Sequence, residues 1–298
     1  MTDTLETRLR RHVARLAGEI GERHVWRPEA LAAAEAYIER ELAATGCAVR
    51  KQTYDAEGVP CSNLEIEVPG TAAASEIILV GAHYDTVPGS PGADDNASGV
   101  AGVIEIAKHL ARKRPRRTLR LVAFVNEEPP FFYFGEMGST VYAREARQRG
   151  DDIRVMLSLE MLGCYSDRRG SQDYPPFFRR FYPDRGNFIG FVSNVKSRGA
   201  LAELCRAFRE ASDFPMERLA APTLVPGVGL SDQISFWKQG YRAVMVTDTA
   251  FYRYRHYHQA TDTPEKLDYA RMADVVRGLA GAVGRLAGVA PNEGEGDG

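Results

Sequence analysis

Histidine and carboxylate side chains recur at one kind of place in this sequence, the point where an apolar run stops. Residues 77–80 (Ile-Ile-Leu-Val) lead into Gly81-Ala82-His83-Tyr84-Asp85 and then Gly92-Ala93-Asp94-Asp95-Asn96-Ala97-Ser98-Gly99. Residues 119–125 end in Asn126-Glu127-Glu128-Pro129-Pro130, residues 153–159 end in Glu160, and residues 241–247 lead to a polar aromatic loop holding His256 and His258. Short apolar runs of this kind fit strands buried on both faces of a parallel sheet, whose carboxyl ends are where open α/β sheets bind ligands. Carboxylates converging there repel one another and are driven to protonate unless a cation joins them. A donor set of histidine and carboxylate without cysteine suits Zn2+, with Mn2+ or Co2+ as substitutes. The donors exceed what one tetrahedral ion needs, which points to two ions sharing a carboxylate. Adjacent Glu127 and Glu128 invite a division of labour, one carboxylate on the metal and the other handling protons, with Pro129 holding the pair extended at the strand end.

The elements that must position these residues follow from periodicity. Leu5, Leu9, Val13, Leu16, Ala17 and Ile20 predict one amphipathic helix, and a second runs from Pro28 through Leu31, Ala34, Ile38 and Leu42 to a stop at Gly46. His12, His24 and His109 read as packing or surface histidines. Residues 49–54 and 63–68 predict an antiparallel pair at a sheet edge, because Leu64, Ile66 and Val68 alternate with Glu65 and Glu67. Helices are expected over 99–112, 138–148 and 201–211, over 231–239 with Ser231 as N-cap, and from Pro264 to near Leu286. A further strand is expected over 188–192. Residues 165–187, rich in Arg, Pro, Tyr and Phe, show no period and read as a long functional or covering loop. Strands alternating with helices predict an α/β fold: a three-layer α/β/α sandwich with a mixed, mostly parallel central sheet and an antiparallel edge. No repeat or long linker divides the chain, so residues 1–290 read as a single catalytic domain and 291–298 as a disordered acidic tail.

Composition narrows the partners. A chain of 298 residues with 44% hydrophobic content builds a full core, and a formal net charge of -2 carries no basic surface for nucleic acid or anionic lipid. A peptide or small aminoacyl substrate is the expected partner, with no nucleic acid and no membrane. The four cysteines are scattered and read as reduced core thiols. Residues 1–8 contain no apolar signal-peptide core, so the expected location is cytoplasmic, although a secreted chain trimmed of its leader would read the same.

The ordered motifs resemble the M28 family of zinc aminopeptidases: His83-Tyr84-Asp85, Gly92 to Gly99, Asn126-Glu127-Glu128, Ser158-Leu159-Glu160-Met161, Ser231-Asp232 and Tyr257-His258-Gln259-Ala260-Thr261-Asp262-Thr263. The resemblance implies that His83 and Glu160 hold one zinc, Glu128 and His258 the other, and that Asp95 bridges them. It implies Glu127 as general base, Asp85 as the carboxylate orienting the His83 ring, and Tyr257 as a candidate to stabilise an oxyanion. It also implies a cis Asp95–Asn96 peptide. The implied activity is removal of the N-terminal residue of peptides by a metal-activated water. A glutaminyl-cyclase-like aminoacyltransferase on the same fold is the alternative, and a non-catalytic binding domain a more remote one. Three features depart from the family pattern: Glu160 stands where many members have aspartate, Gln233 stands where histidine is common, and Pro129-Pro130-Phe131-Phe132-Tyr133-Phe134 is a bulky insert that would line a substrate pocket or pack under the 165–187 loop.

Overall fold

The computed structural model describes residues 3–134 and 136–290, excepting the side chains of Tyr133 and Phe134. The acidic stretch 291–298 lies outside the described residues. Eight strands form one sheet: β1 (Val49–Ala56), β2 (Val59–Val68), β3 (Ala73–His83), β4 (Arg117–Phe124), β5 (Asp152–Glu160), β6 (Ile189–Ser193), β7 (Met216–Ala220) and β8 (Ala243–Thr247). Their order is β1-β2-β4-β3-β5-β8-β6-β7. The pairs β3–β4, β3–β5, β5–β8 and β6–β7 are parallel, while β1–β2, β2–β4 and β6–β8 are antiparallel. The expected edge hairpin is therefore present, and a second antiparallel junction stands at the other end.

Helices cover both faces. α1 (Leu5–Val13), α2 (Pro28–Ala43), α3 (Gly99–Leu110), α6 (Arg198–Arg209) and α8 (Tyr269–Ala287) bury their apolar stripes in the larger core cluster. α5 (Gly138–Arg149) and α7 (Gln233–Lys238) pack on the opposite face around Phe124, Tyr142 and Phe236. The four-residue α4 (Phe131–Phe134) lies in the insert after the glutamates, where Phe131 and Phe132 pack with the larger core.

Four expectations need correction. The first helix is not uniform, because α1 gives way to a π-helical segment over Ala14–Ile20. The closing helix starts later than Pro264, at Tyr269, with the Asp268 side chain accepting from the Arg271 amide; Pro264–Lys266 forms a separate 3-10 turn. Ser231 does not cap α7, since its hydroxyl donates to Glu160 Oε2 at 2.6 Å. Strand β7 was not visible in sequence. Met216-Glu217-Arg218-Leu219-Ala220 is half-exposed on a sheet edge, and nothing in it alternates strongly enough to mark a strand. Among the described residues, no helix is long and apolar enough to cross a membrane.

The connection from the N-terminal helices to the site runs through Arg23, which is fully buried. Its guanidinium donates to the carbonyls of Leu16, Gly21, Tyr84, Pro91 and Gly92, at 2.6–3.3 Å. Burial pulls its pKa down to about 10, against the pull of Asp85 and Asp262, so it remains charged at neutral pH. One side chain thus fixes both ends of the 84–92 segment, which runs between the candidate ligands His83 and Asp95. Arg23→Met would strand these buried carbonyls without donors, and is expected to lower unfolding free energy by roughly 3 kcal/mol, measured by urea denaturation.

Candidate metal centre

The carboxyl ends of β3, β4 and β5, together with the turn after β8, meet at one place. His83 closes β3, Glu127 and Glu128 follow β4, Glu160 closes β5, and His258 lies in the loop beyond β8. Asp95 sits at their centre and faces two ways. Its Oδ1 is 3.3 Å from His83 Nε2 and its Oδ2 is 3.1 Å from His258 Nε2. Glu160 Oε2 completes the first group at 3.3 Å from His83 Nε2, and Glu128 Oε1 completes the second at 3.3 Å from His258 Nε2. Glu127 Oε2 lies 4.0 Å from His83 Nε2, outside both triads. Of the sequence-predicted residues, the structure brings all five expected ligands and Glu127 into one cluster. Tyr257 stacks on the His258 ring with centroids 3.8 Å apart.

Two carboxylates set the backbone beneath this cluster, each by accepting consecutive amide N–H groups. Asp85 Oδ1 and Oδ2 accept from the amides of Glu127 and Glu128, both at 3.0 Å. Asp262 Oδ1 and Oδ2 accept from the amides of Asp94 and Asp95 at 2.9 and 3.2 Å, and Oδ1 also accepts from the Tyr254 hydroxyl. Asp85 also faces the His83 ring, its Oδ1 3.6 Å from Nδ1, and contributes to the rise of the His83 pKa. Asp85 therefore couples the glutamate turn to the His83 strand from beside the ring. In the sequence Asp262 is marked only by its place in the Tyr257–Thr263 motif, and the paired amides it serves are 167 and 168 positions away.

Asp94 and Asn96 serve loop geometry. Asp94 Oδ1 accepts from the Gly163 amide at 2.8 Å, and Asn96 Oδ1 accepts from the Gly99 and Met161 amides at 3.1 Å, tying the loop to the exit of β5. A Cβ at Gly99 would lie 2.3 Å from Asn96 Oδ1 and 2.5 Å from the Leu159 carbonyl, so no larger residue fits there. The Asp95–Asn96 peptide is cis, as the resemblance implied. Asn126, Met161 and His258 hold φ of 58°, 56° and 57°, a region that non-glycine residues occupy uncommonly and that concentrates at functional sites. Gln233 stands apart from the cluster, its amide donating to the Val228 carbonyl and to Met245 Sδ.

The electrostatics of the cluster call for a cation. Burial raises the pKa of Glu127, Glu128 and Glu160, Glu128 to about 7, and neighbouring carboxylates add to the rise. Burial alone would lower both histidines, yet the surrounding carboxylates carry His83 well above its usual value and His258 to about 10. Four buried atoms, His83 Nδ1, Asp95 Oδ1, Glu128 Oε1 and His258 Nε2, make no hydrogen bond. Three triads, His83, Asp95, Glu160; Asp95, Glu128, His258; and His83, Glu127, Glu128, each place three donor atoms within 4.8 Å of one another, and the first two share Asp95. Such a set fits divalent cations, and sharing Asp95 fits a pair of them about 3.5 to 4 Å apart. Asp232, whose oxygens are buried without a partner, stands behind Glu127 and Glu160 and is raised to about 7 by burial.

Beside the cluster a largely apolar pocket opens, bounded by Glu160 and Tyr257 at one end. Its outer wall is the 165–187 loop, through Tyr174, Phe178 and Tyr182, which stack with centroid distances of 5.6 and 6.2 Å. Arg253 holds this wall in place: its guanidinium donates to Gln172 Oε1 and to the carbonyls of Cys164 and Phe188, at both ends of the loop.

With this geometry in view, the sequence comparison decides the family. The model of "Peptidase family M28" matches residues 63–283. The chain belongs to peptidase family M28. An uncharacterized protein of Escherichia coli (strain K12), YfbL, is 38% identical over 252 residues, 82% of this chain and 76% of that one. The chain spans about half the length of several other curated relatives it matches. Among solved structures, the M28 chain shares its fold with a zinc aminopeptidase from Bacillus subtilis, at a TM-score of 0.59 and 21% identity over 78% of this chain and 51% of that one. It also shares it with Fimbriiglobus ruber glutaminyl cyclase, at a TM-score of 0.71 and 21% identity over 93% and 94% of the two chains. Replacing Asp85 or Asp262 by Asn substitutes an amide donor for one of two paired acceptors. Each change is expected to weaken divalent-metal affinity about 10–100-fold, measured by competition with a chelating dye.

Proposed function

We propose that this M28 chain is a zinc-dependent aminopeptidase, with residues 1–290 acting as one catalytic unit. The observation that carries the reading is Asp95, whose two oxygens face two histidine-carboxylate half-sites, with Glu127 between them at the longer distance of 4.0 Å from His83 Nε2. In this reading His83 and Glu160 hold one zinc ion, Glu128 and His258 hold a second, and Asp95 belongs to both. When bound, zinc supplies Lewis acidity that lowers the pKa of water from ~15.7 toward ~7 and polarises the scissile carbonyl.

The residues of the chain then divide the work. Glu127 accepts the proton of the attacking water at its carboxylate and passes it to the departing amine, a role that contributes about 10² to 10⁴ in rate. Burial favours this use, since it raises the Glu127 carboxyl above the ordinary range and makes the carboxylate a stronger base. Asp85 keeps Glu127 and Glu128 in fixed relation through their amides. Tyr257, held against His258 at the pocket mouth, has a phenol pushed far above its usual pKa by burial, so it remains a hydrogen-bond donor for developing negative charge on the substrate carbonyl. The apolar pocket beside Glu160 takes the side chain of the N-terminal residue.

Glu127→Gln is expected to retain zinc and lose turnover of aminoacyl chromogenic substrates by about 10² to 10⁴; near-wild-type turnover would sink the assignment. Tyr257→Phe is expected to lower kcat about tenfold with little change in KM. Metal analysis is expected to give two zinc ions per chain, with activity lost to chelator and restored by zinc. One ion per chain, together with ammonia release from an N-terminal glutamine peptide, would establish the cyclase reading instead.

A further inference from the structure

The pocket floor is part of the sheet, and its cross-strand pairing links the metal cluster to a distant carboxylate. Glu160 on β5 pairs with Thr247 on β8, Thr247 with Gly190 on β6, and Gly190 with Glu217 on β7. These four residues form one row across the sheet. Strands about 4.8 Å apart place Glu217 roughly 14 Å from Glu160 along that row. The parallel row behind it, Leu159, Val246, Phe191 and Arg218, faces the other way: Leu159, Val246 and Phe191 lie in the larger core, and Arg218 acts on Cys205 of α6, although Phe191 and Arg218 also touch the pocket and Arg218 acts on Tyr182. Strand alternation therefore puts Glu217 on the pocket side, where it is among the lining residues.

Gly190 shapes the space between. It has no side chain to stand between Thr247 and Glu217, and an added Cβ would lie 3.1 Å from the Thr247 carbonyl. The row is thus a trough that is walled by Thr247, open at Gly190 and closed at its far end by a carboxylate. Over that end lie Tyr174 and Tyr182, whose phenols are raised by burial and, to a lesser extent, by the Glu217 charge, against the opposing charges of Arg253 on Tyr174 and Arg218 on Tyr182. The Tyr182 hydroxyl donates to the Arg218 carbonyl at 2.9 Å, fixing the aromatic wall to β7 itself. Among the described residues the Glu217 side chain makes no hydrogen bond or ion pair; Arg209, at the end of α6, is the cation that acts on it, while Arg253 holds the loop through Nε and Nη1 and leaves Nη2 without a partner.

We propose that Glu217, at the far end of the Gly190 trough and beneath the Tyr174 and Tyr182 rings, is the specificity-determining carboxylate for a long cationic side chain, arginine or lysine, at the N-terminus of the substrate. An apolar trough receives the methylene stem, the carboxylate pairs with the charge, and the aromatic faces add attraction for the same cation. A short aliphatic side chain fills the near part of the trough and leaves Glu217 unpaired. The proposal rests on the aminopeptidase reading above, which places the N-terminal side chain in this pocket.

The test compares arginine, lysine, norleucine and leucine aminoacyl substrates on the zinc-loaded full chain and on Glu217→Gln, with calorimetric binding of L-arginine and L-norleucine in parallel. Norleucine keeps the unbranched stem and lacks the charge. The expected result is a ratio of kcat/KM for arginine over norleucine of about tenfold or more in the wild type, falling about tenfold in Glu217→Gln, with Glu217→Leu inverting the preference. A wild-type preference for norleucine, or a ratio that Glu217→Gln leaves unmoved, overturns the proposal. If no aminoacyl substrate is cleaved, the aminopeptidase reading fails by itself, and binding decides on Glu217. L-arginine binding that weakens about tenfold in Glu217→Gln upholds the carboxylate as a cation subsite, and binding that is equal in both proteins overturns it.

Discussion

Everything at this site depends on keeping mutually repelling carboxylates close together in a buried place. Asp95, Glu127, Glu128 and Glu160 would separate or protonate if only their side chains were constrained, so the fold constrains their backbones. Asp85 and Asp262 do so by the same device, each spending both oxygens on consecutive amides, and Arg23 supplies the buried positive charge behind them. The conflict is thus held by the scaffold and left for a divalent cation to resolve. Site and scaffold cannot be separated into independent layers, because the residues that hold the loops are themselves charged and lie within the same field.

The sheet order explains why a pocket lies where it does. β3, β4 and β5 run parallel and deliver their carboxyl ends to one edge, while β6 enters antiparallel to β8 and carries β7 outward beyond it. The extra two strands extend the floor past Glu160 without adding another ligand-bearing strand end. The 165–187 loop closes over this extension and is anchored through Arg253 from the same loop that presents Tyr257 and His258. Candidate metal ligands and pocket wall are therefore linked through one connection, and a change in the wall loop reaches the carboxylate cluster through Arg253.

Much of this was legible beforehand for physical reasons particular to each element. The apolar runs before His83, Glu127 and Glu160 mark buried parallel strands, and polar groups at their ends have few explanations other than ligand binding. The π-helical turn in residues 14–20 was not legible, since its apolar spacing is also that of an α-helix. Ser231 before a short helix has the sequence of an N-cap, but the deficit at Glu160 outweighs the capping bond and takes its hydroxyl. β7 escaped notice because an exposed edge strand has no buried face to impose alternation.

The sequence by itself determined which residues have the chemistry to hold a metal and to move a proton, because charge and ligand preference belong to side-chain types and their position after apolar runs is local. Only the tertiary structure decided how they are shared and held. That Asp95 faces two histidines, that Asp262 serves amides more than 160 residues away, and that Glu217 falls in one row with Glu160 are consequences of strand pairing and loop packing. Contacts between residues so far apart leave no local pattern, since the free energy that fixes them comes from burial and register across the whole sheet.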